Sequence, residues 1–258
     1  MNVLITGGAG WLGMALSEVV AQHHVVRAFD PQPFPDIRKD LHVKGIVGSI
    51  TDRQAVADAV SGQDAVIHAA VADWRAGMHE VGDPHPFDVN VWGTYNILDA
   101  ARLAGIKRII LIAAAETHVD HSPGTLVDHK TPYRGVPKIY DLTKRLQEEI
   151  GSWFAAMYGL DVVAFRLGTI VDLKLGRKRH GGPEGWNKSM RKHSWIDRYD
   201  VGRACLRALE ENPQGFQVFH LIGAPEAKQV FDVARTEKSL GIQFTTEFDR
   251  RPAEERGV

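Results

Sequence analysis

The first thirteen residues constrain this chain more than any other stretch. Asn2-Val3-Leu4-Ile5-Thr6 is a short apolar run, Gly7-Gly8-Ala9-Gly10-Trp11-Leu12-Gly13 follows with glycines at relative positions 1, 4 and 7, and Leu12, Ala15, Leu16 and Val19 then fall on one helical stripe. A strand that enters a helix through such a turn has a specific physical use. The first glycine permits the tight exit from the strand. The second lets an anion approach bare backbone at the helix N-terminus, where N–H groups and the helix dipole favour negative charge. The third lets helix and strand pack closely. A glycine-rich turn can also be only a turn; the strand before it and the helix after it make a diphosphate cradle the stronger reading.

The rest of the chain repeats the pattern. Val25–Phe29, stopped by Asp30-Pro31, reads as a second strand, and Gly45-Ile46-Val47, Ala65–His68, Arg108–Ile112 and Val162–Phe165 as further ones. Helices are expected at 51–60, with Thr51 as a possible N-cap, at 88–103 and at 138–157. Continuous apolar strands alternating with helices imply an α/β fold, a doubly wound parallel sheet covered on both faces. Ligands of such sheets bind at the carboxyl ends of the strands, here the segments starting at Gly7, Asp30, Ser49, Ala69, Ala113 and Leu167. The rhythm breaks after Arg166. Residues 172–193 read as a polar, loop-rich excursion, followed by a helix at 199–210, a strand at 216–222 and a short helix at 234–240.

Composition removes several classes. The 258 residues carry 31 Lys+Arg against 32 Asp+Glu, which gives no positive field for a nucleic-acid binder. The single cysteine, Cys205, leaves no internal disulfide and no multi-cysteine zinc site. His118-Val119-Asp120-His121 resembles metal ligands, but a polar loop is the simpler reading, and no metal is expected. No apolar run approaches the roughly 20 residues that span a bilayer, and no basic leader precedes the first apolar run, so a cytoplasmic location is expected.

Two further features bear on chemistry. Asp30 lies 23 residues after Gly7 at the end of the second strand. A carboxylate there can accept hydrogen bonds from the adenosine ribose and repel a 2′-phosphate, which favours NAD over NADP. Tyr140-Asp141-Leu142-Thr143-Lys144 places a phenol and an ammonium at i and i+4, on one helix face. A phenol is a poor base near neutral pH, and a neighbouring ammonium favours its ionised form. Such a tyrosine can exchange a proton with a carbonyl or alcohol oxygen while hydride moves to or from nicotinamide.

Taken together, Thr6–Gly13 with Asp30, Asn90-Val91-Trp92-Gly93-Thr94, Tyr140-x-x-x-Lys144 and Arg166-Leu167-Gly168 resemble the extended short-chain dehydrogenase/reductases, the NAD-dependent epimerase/dehydratase group. The resemblance covers residues 1 to about 171, with weaker matches at 195–209 and 236–241. It implies a Rossmann-type domain over 1–171 and a small C-terminal substrate-binding portion over 172–258 that completes the same compact unit. It also implies roles. Gly7, Gly10 and Gly13 would form the diphosphate turn, with Trp11 and Leu12 offering backbone; Ser49 and Ile50 would flank the adenine; Ala69 and Ala70 would leave room for the cofactor. Asn90 would support the site from its helix, Tyr140 would be the acid/base, and Lys144 would bind the nicotinamide ribose and tune Tyr140.

One departure is serious. The family carries a Ser or Thr just past the fifth strand, where this chain reads Ala113-Ala114-Ala115-Glu116-Thr117. Neither Ala114 nor Ala115 can donate from its side chain, and losing such a donor typically costs about 10²–10³ in rate. Thr117 and Glu116 are therefore the candidate substitutes on the catalytic side, with Asp73, Trp74 and Thr117 as candidate substrate contacts. About 28 residues separate Arg166 from Trp195, short for a nucleotide-sugar site, so the expected substrate is a small sugar or sugar acid, as for uronate dehydrogenases. A nucleotide-sugar epimerase/dehydratase and a non-catalytic NAD-sensing protein are the alternatives. The stretch 174–193, with seven Lys or Arg against Glu184, could recruit a carboxylate or phosphate; a solvated loop is the plainer reading. Apolar residues on more than one face of helices 88–103 and 138–157 suggest a homodimer through those helices.

Overall fold

The computed structural model describes residues 1–35, 41–72, 84–115, 124–134, 138–178, 194–246 and 248. The apolar runs become β1 (Asn2–Thr6), β2 (Val25–Asp30), β3 (Val43–Val47), β4 (Ala65–His68), β5 (Arg108–Ala114) and β6 (Asp161–Leu167). With Phe216–Leu221 they form one seven-stranded sheet, parallel at every pairing. Read from one edge, the order is β3-β2-β1-β4-β5-β6 and then Phe216–Leu221, so strand order reverses between β1 and β4. In an open parallel sheet the crevice above that reversal is the ligand position. Thr6 and His68 are register partners there, at the carboxyl ends of the two strands.

The inner strands are buried on both faces, whereas β3 at the edge is largely exposed, and the two faces have separate cores. On one, Val3, Ile5, Val26, Ile67, Ile110, Ile112 and Phe165 meet Leu16 and Val20 of α1 (Trp11–Val20) and Val201, Ala204 and Cys205 of the helix Arg198–Glu211. On the other, Leu4, Phe29, Val66, Ile109, Leu111 and Val162 meet α2 (Arg53–Val60), α3 (Gly93–Leu103) and α4 (Ile139–Tyr158). Asp52, rather than Thr51, caps α2, accepting the Gln54 and Ala55 N–H groups. Arg27 on β2 donates to the Ala59 and Ser61 carbonyls at the far end of α2, at 2.6 and 2.7 Å, which keeps it away from the strand ends where ligands bind.

Two local differences from the sequence reading matter. The helix expected from residue 88 begins as a π-helical turn, Phe87–Trp92, before α3 continues. π-Turns often mark functional positions, and this one carries Asn90. β7 (Thr169–Asp172) ends where the expected loop begins, the loop contains β8 (Arg177–Lys178), paired antiparallel with β7, and β7 pairs in parallel with β9 (Trp195–Asp197). Strands of two to four residues are too short to leave a periodic signal. From β9 the chain enters α5 (Arg198–Glu211), then β10 (Phe216–Leu221) and α6 (Val233–Leu240). β10 lies beside β6, so the C-terminal portion supplies the last strand of the main sheet. No helix among the described residues is long and apolar enough to cross a membrane.

Candidate active site

The glycine turn is built so that backbone lies open. Gly7 has φ +68°, a left-handed conformation that favours glycine, and a Cβ there would stand 2.8 Å from the Ala70 backbone. A Cβ on Gly13 would collide with the carbonyl oxygen of Gly7. No side chain caps α1 at Gly10, so the N–H groups of its first turn, from Trp11 onward, face whatever sits at the mouth of the turn. Asp30, at the end of β2, accepts the Ala9 N–H on Oδ2 (3.2 Å) and the Gln32 N–H on Oδ1 (2.9 Å), so it also holds the turn in place. Ser49 is half-buried and bonds Thr51, whereas the Ile50 side chain is in the core against Gly93. An uncapped helix start, a cradle that any side chain would fill and a carboxylate beside it suit a dinucleotide diphosphate.

A buried chain of hydrogen bonds runs from this turn to the tyrosine helix. The Ala70 N–H meets Thr6 Oγ1 (3.3 Å), Thr6 Oγ1 lies 2.7 Å from His68 Nδ1, His68 Nε2 lies 3.0 Å from Thr94 Oγ1, and Thr94 donates to the Asn90 carbonyl (2.6 Å). Each hydroxyl has one proton, so donor counting fixes the direction. Thr94 spends its proton on Asn90 and must accept from His68 Nε2–H. Burial, and then the Lys144 charge, lowers the His68 pKa to about 3, so the imidazole is neutral and its Nδ1 accepts from Thr6. The Asn90 side chain accepts the Ala72 N–H (2.8 Å) and donates to Thr143 Oγ1 (2.9 Å), which donates to the Tyr140 carbonyl (2.9 Å). Thr6, His68, Asn90, Thr94 and Thr143 are all buried, as unbroken satisfaction of polar groups requires.

Tyr140 is half-buried in the first turn of α4, and Lys144 lies one turn further on, buried. Lys144 Nζ donates to the carbonyl of Ile112, near the end of β5, and to Gln147 Oε1 at 2.5 Å. Burial lowers the Lys144 pKa to about 8 against the opposing pull of Glu148, which leaves it mostly cationic near neutrality. Glu148 in turn binds Arg166 on β6 through both carboxylate oxygens, at 3.1 and 2.9 Å. The start of α4 is thus tied to β5 by Lys144, to β6 by Glu148 and to the β4 end by Asn90. Ala113, Ala114 and Ala115 beside it are buried and bring no side-chain donor.

The structure brings Gly7, Gly10, Trp11, Leu12, Gly13, Asp30, Ala69 and Ala70 to the ends of β1, β2 and β4, links Asn90 to the Tyr140 carbonyl through Thr143, and ties Lys144 separately to Ile112 of β5. Asp73, Trp74, Glu116 and Thr117 lie outside the described residues, as do His118, Asp120, His121 and most of the basic stretch. Sequence reasoning missed His68, Thr94, Thr143 and Gln147. The available signal was spacing: Thr94 follows Asn90 by one turn, and Thr143 precedes Lys144 directly. Cys205 is buried, and burial pushes its thiol pKa up, away from nucleophile chemistry. Among the described residues no three His, Cys, Asp or Glu cluster as metal ligands. On the outer helices Ile97, Leu98 and Phe154 are core, while Trp92 and Trp153 remain 43% and 48% exposed.

Comparison with known proteins bears on the family and the fold. The family model for the NAD dependent epimerase/dehydratase family matches residues 3–174. A uronate dehydrogenase from Pseudomonas syringae pv. tomato is 27% identical over 231 residues, 89% of this chain and 76% of the relative. An L-arabinose 1-dehydrogenase (NAD(P)(+)) from Haloferax volcanii is 25% identical over 261 residues, 94% of this chain and 95% of the relative. Among solved structures, a short-chain dehydrogenase/reductase superfamily protein from Agrobacterium tumefaciens with bound NAD superposes with a TM-score of 0.79 at 22% identity, covering 98% of this chain and 95% of that one.

Proposed function

Because the chain belongs to the NAD dependent epimerase/dehydratase family, we propose that it is an NAD-dependent oxidoreductase or epimerase acting on a hydroxyl or keto carbon of a small sugar or sugar acid. The observation that carries this reading is the anchoring of Tyr140 and Lys144 at the carboxyl edge of the sheet, through Ile112, Asn90 and Thr143, beside the open glycine turn. Gly7, Gly10, Trp11, Leu12 and Gly13 would hold the diphosphate on backbone, Asp30 would take the adenosine ribose, Ser49 and Ile50 would border the adenine, and Ala69 and Ala70 would leave space beside β4. When bound, the nicotinamide supplies the hydride acceptor or donor. Tyr140 takes the proton from the substrate hydroxyl, or returns it to the keto oxygen, and the Lys144 cation stabilises the phenolate. Asp73, Trp74, Glu116 and Thr117 are the proposed contacts on the substrate side. Residues 1–171 form the cofactor domain and 172–258 the substrate-binding portion.

Uronates and free aldoses are the favoured substrates, supported by the two named dehydrogenases and by the short span between Arg166 and Trp195. The exposed Trp92 and Trp153 on neighbouring helices support a homodimer through that face. A second reading, a protein that binds NAD without turnover, is favoured by one observation, the absence of a side-chain donor across Ala113–Ala115. Following NADH absorbance across a panel of free sugars and uronates separates the two. Turnover that Tyr140→Phe abolishes supports the enzyme; NAD binding with no turnover on any member supports the sensor.

A further inference from the structure

Arg198, the first residue of α5, is a buried cation with an unusual set of partners. Its Nε lies 2.6 Å from Asp172 Oδ2 at the end of β7, and its Nη1 donates to the carbonyl of Trp11 at 2.9 Å. Its guanidinium carbon lies 5.3 Å from the centre of the Trp11 ring and 5.0 Å from that of Tyr199. Tyr199 accepts from Nη2 (3.3 Å) and donates to Glu18 on α1 (3.2 Å). Asp172 is fully buried and uses its other oxygen to accept the Leu175 N–H, which holds the β7–β8 turn. One side chain therefore joins the small sheet, the start of α5 and the first residue of α1.

Stability alone is a poor account of this arrangement. A buried ion pair pays for desolvation, and replacing both partners with apolar residues of similar size is often neutral or better. What a guanidinium adds is direction, because an N–H of its planar fork fixes a carbonyl while its charge faces the carboxylate and its faces stack on rings. The carbonyl it fixes belongs to Trp11, inside the Gly7–Gly13 turn. The orientation of that peptide sets where the first N–H groups of α1 point.

We propose that Arg198 is a positioning residue for the cofactor turn, which it locks to the small sheet, so that affinity for a diphosphate-bearing dinucleotide depends on a residue of the C-terminal portion. The proposal rests on the reading of Gly7–Gly13 as the NAD turn. Binding through the turn and ordering of the small sheet then support each other reciprocally.

The test is calorimetric titration of the full chain with NAD⁺, ADP-ribose and AMP, beside thermal unfolding. Two variants are used: Arg198→Lys, which can keep the ion pair but not the carbonyl bond and the stacked plane together, and the double replacement Asp172→Leu with Arg198→Met, which leaves no unpaired buried charge. The Kd for NAD⁺ and for ADP-ribose is expected to rise about tenfold or more in both, with a smaller rise for AMP, while the double variant keeps its melting temperature. Either variant, folded and binding NAD⁺ as tightly as the wild type, overturns the proposal, and so does equal weakening of AMP. Wild-type protein that binds neither NAD⁺ nor ADP-ribose overturns the reading of the turn itself, and is distinguishable because no variant is then involved.

Discussion

The two sides of the Tyr140 helix differ sharply. Behind it, toward β4 and β1, every polar side chain of the Thr6–His68–Thr94–Asn90–Thr143 chain is buried and partnered. In front, at the end of β5, three buried alanines offer nothing but backbone. Holding the proposed acid/base in place and assisting it at the reacting oxygen are separate tasks, and the buried polar side chains serve the first. A protein that had abandoned chemistry would have little use for a buried hydrogen-bonded chain that starts at Thr6 and His68 and ends, through Asn90 and Thr143, on the Tyr140 carbonyl.

Breaking the contrast at its centre has the largest expected effect. Tyr140→Phe should lower turnover about 10²–10⁴-fold with NAD⁺ affinity kept, checked by steady-state rates beside calorimetry. The back of the helix is sharpened by pH. His68 stays neutral in the fold until about pH 3, whereas the unfolded chain protonates it below its ordinary value of 6.5. Its folded pKa is depressed, so the unfolded state binds the extra proton and stability falls as pH drops from 6.5 toward 3, by about 2 kcal/mol at pH 5. Urea unfolding at pH 7.5 and pH 5 should show a change less favourable in the wild type than in His68→Gln by about that amount, a difference that cancels the opposite contribution of Asp197, whose pKa burial raises to about 6. A wild-type slope matched by the variant would mean that the imidazole is not held neutral.

The front of the helix is sharpened by supplying what it lacks. Ala114→Ser should raise turnover roughly tenfold, less than the about 10²–10³ that such a donor contributes where the site is built around it. An unchanged rate would indicate that another group already meets the reacting oxygen. At the outer edge of the site, Asp30→Asn should narrow the preference for NAD⁺ over NADP⁺ by about tenfold, through loss of carboxylate–phosphate repulsion. Comparison of the two coenzymes' kcat/KM values reads it.

What was legible in the sequence follows from range. The Gly7–Gly13 turn, Asp30 and the Tyr140–Lys144 pair are each written within a few residues, or tied to a strand end by spacing, so their types and positions pointed to their places. The parallel sheet was legible because fully buried strands are continuous apolar runs. The relay was not. His68 reads as one more residue of an apolar strand, and only the pairing of β1 with β4 sets it against Thr6. Arg198 reads as a helix-start cation, and its partners lie 26 and 187 positions away in the chain. The small sheet escaped notice because strands of two to four residues have no period to detect. Long-range polar pairing depends on topology, which no local pattern encodes.

The most direct measurement of the central claim is a crystal structure of the protein with NAD⁺ bound. The diphosphate is expected on the backbone of Gly10–Gly13, the nicotinamide above the end of β5, and the Tyr140 hydroxyl facing its C4 edge beside Ala114. A dinucleotide seated elsewhere, or a Tyr140 hydroxyl turned away from the nicotinamide, would contradict that claim.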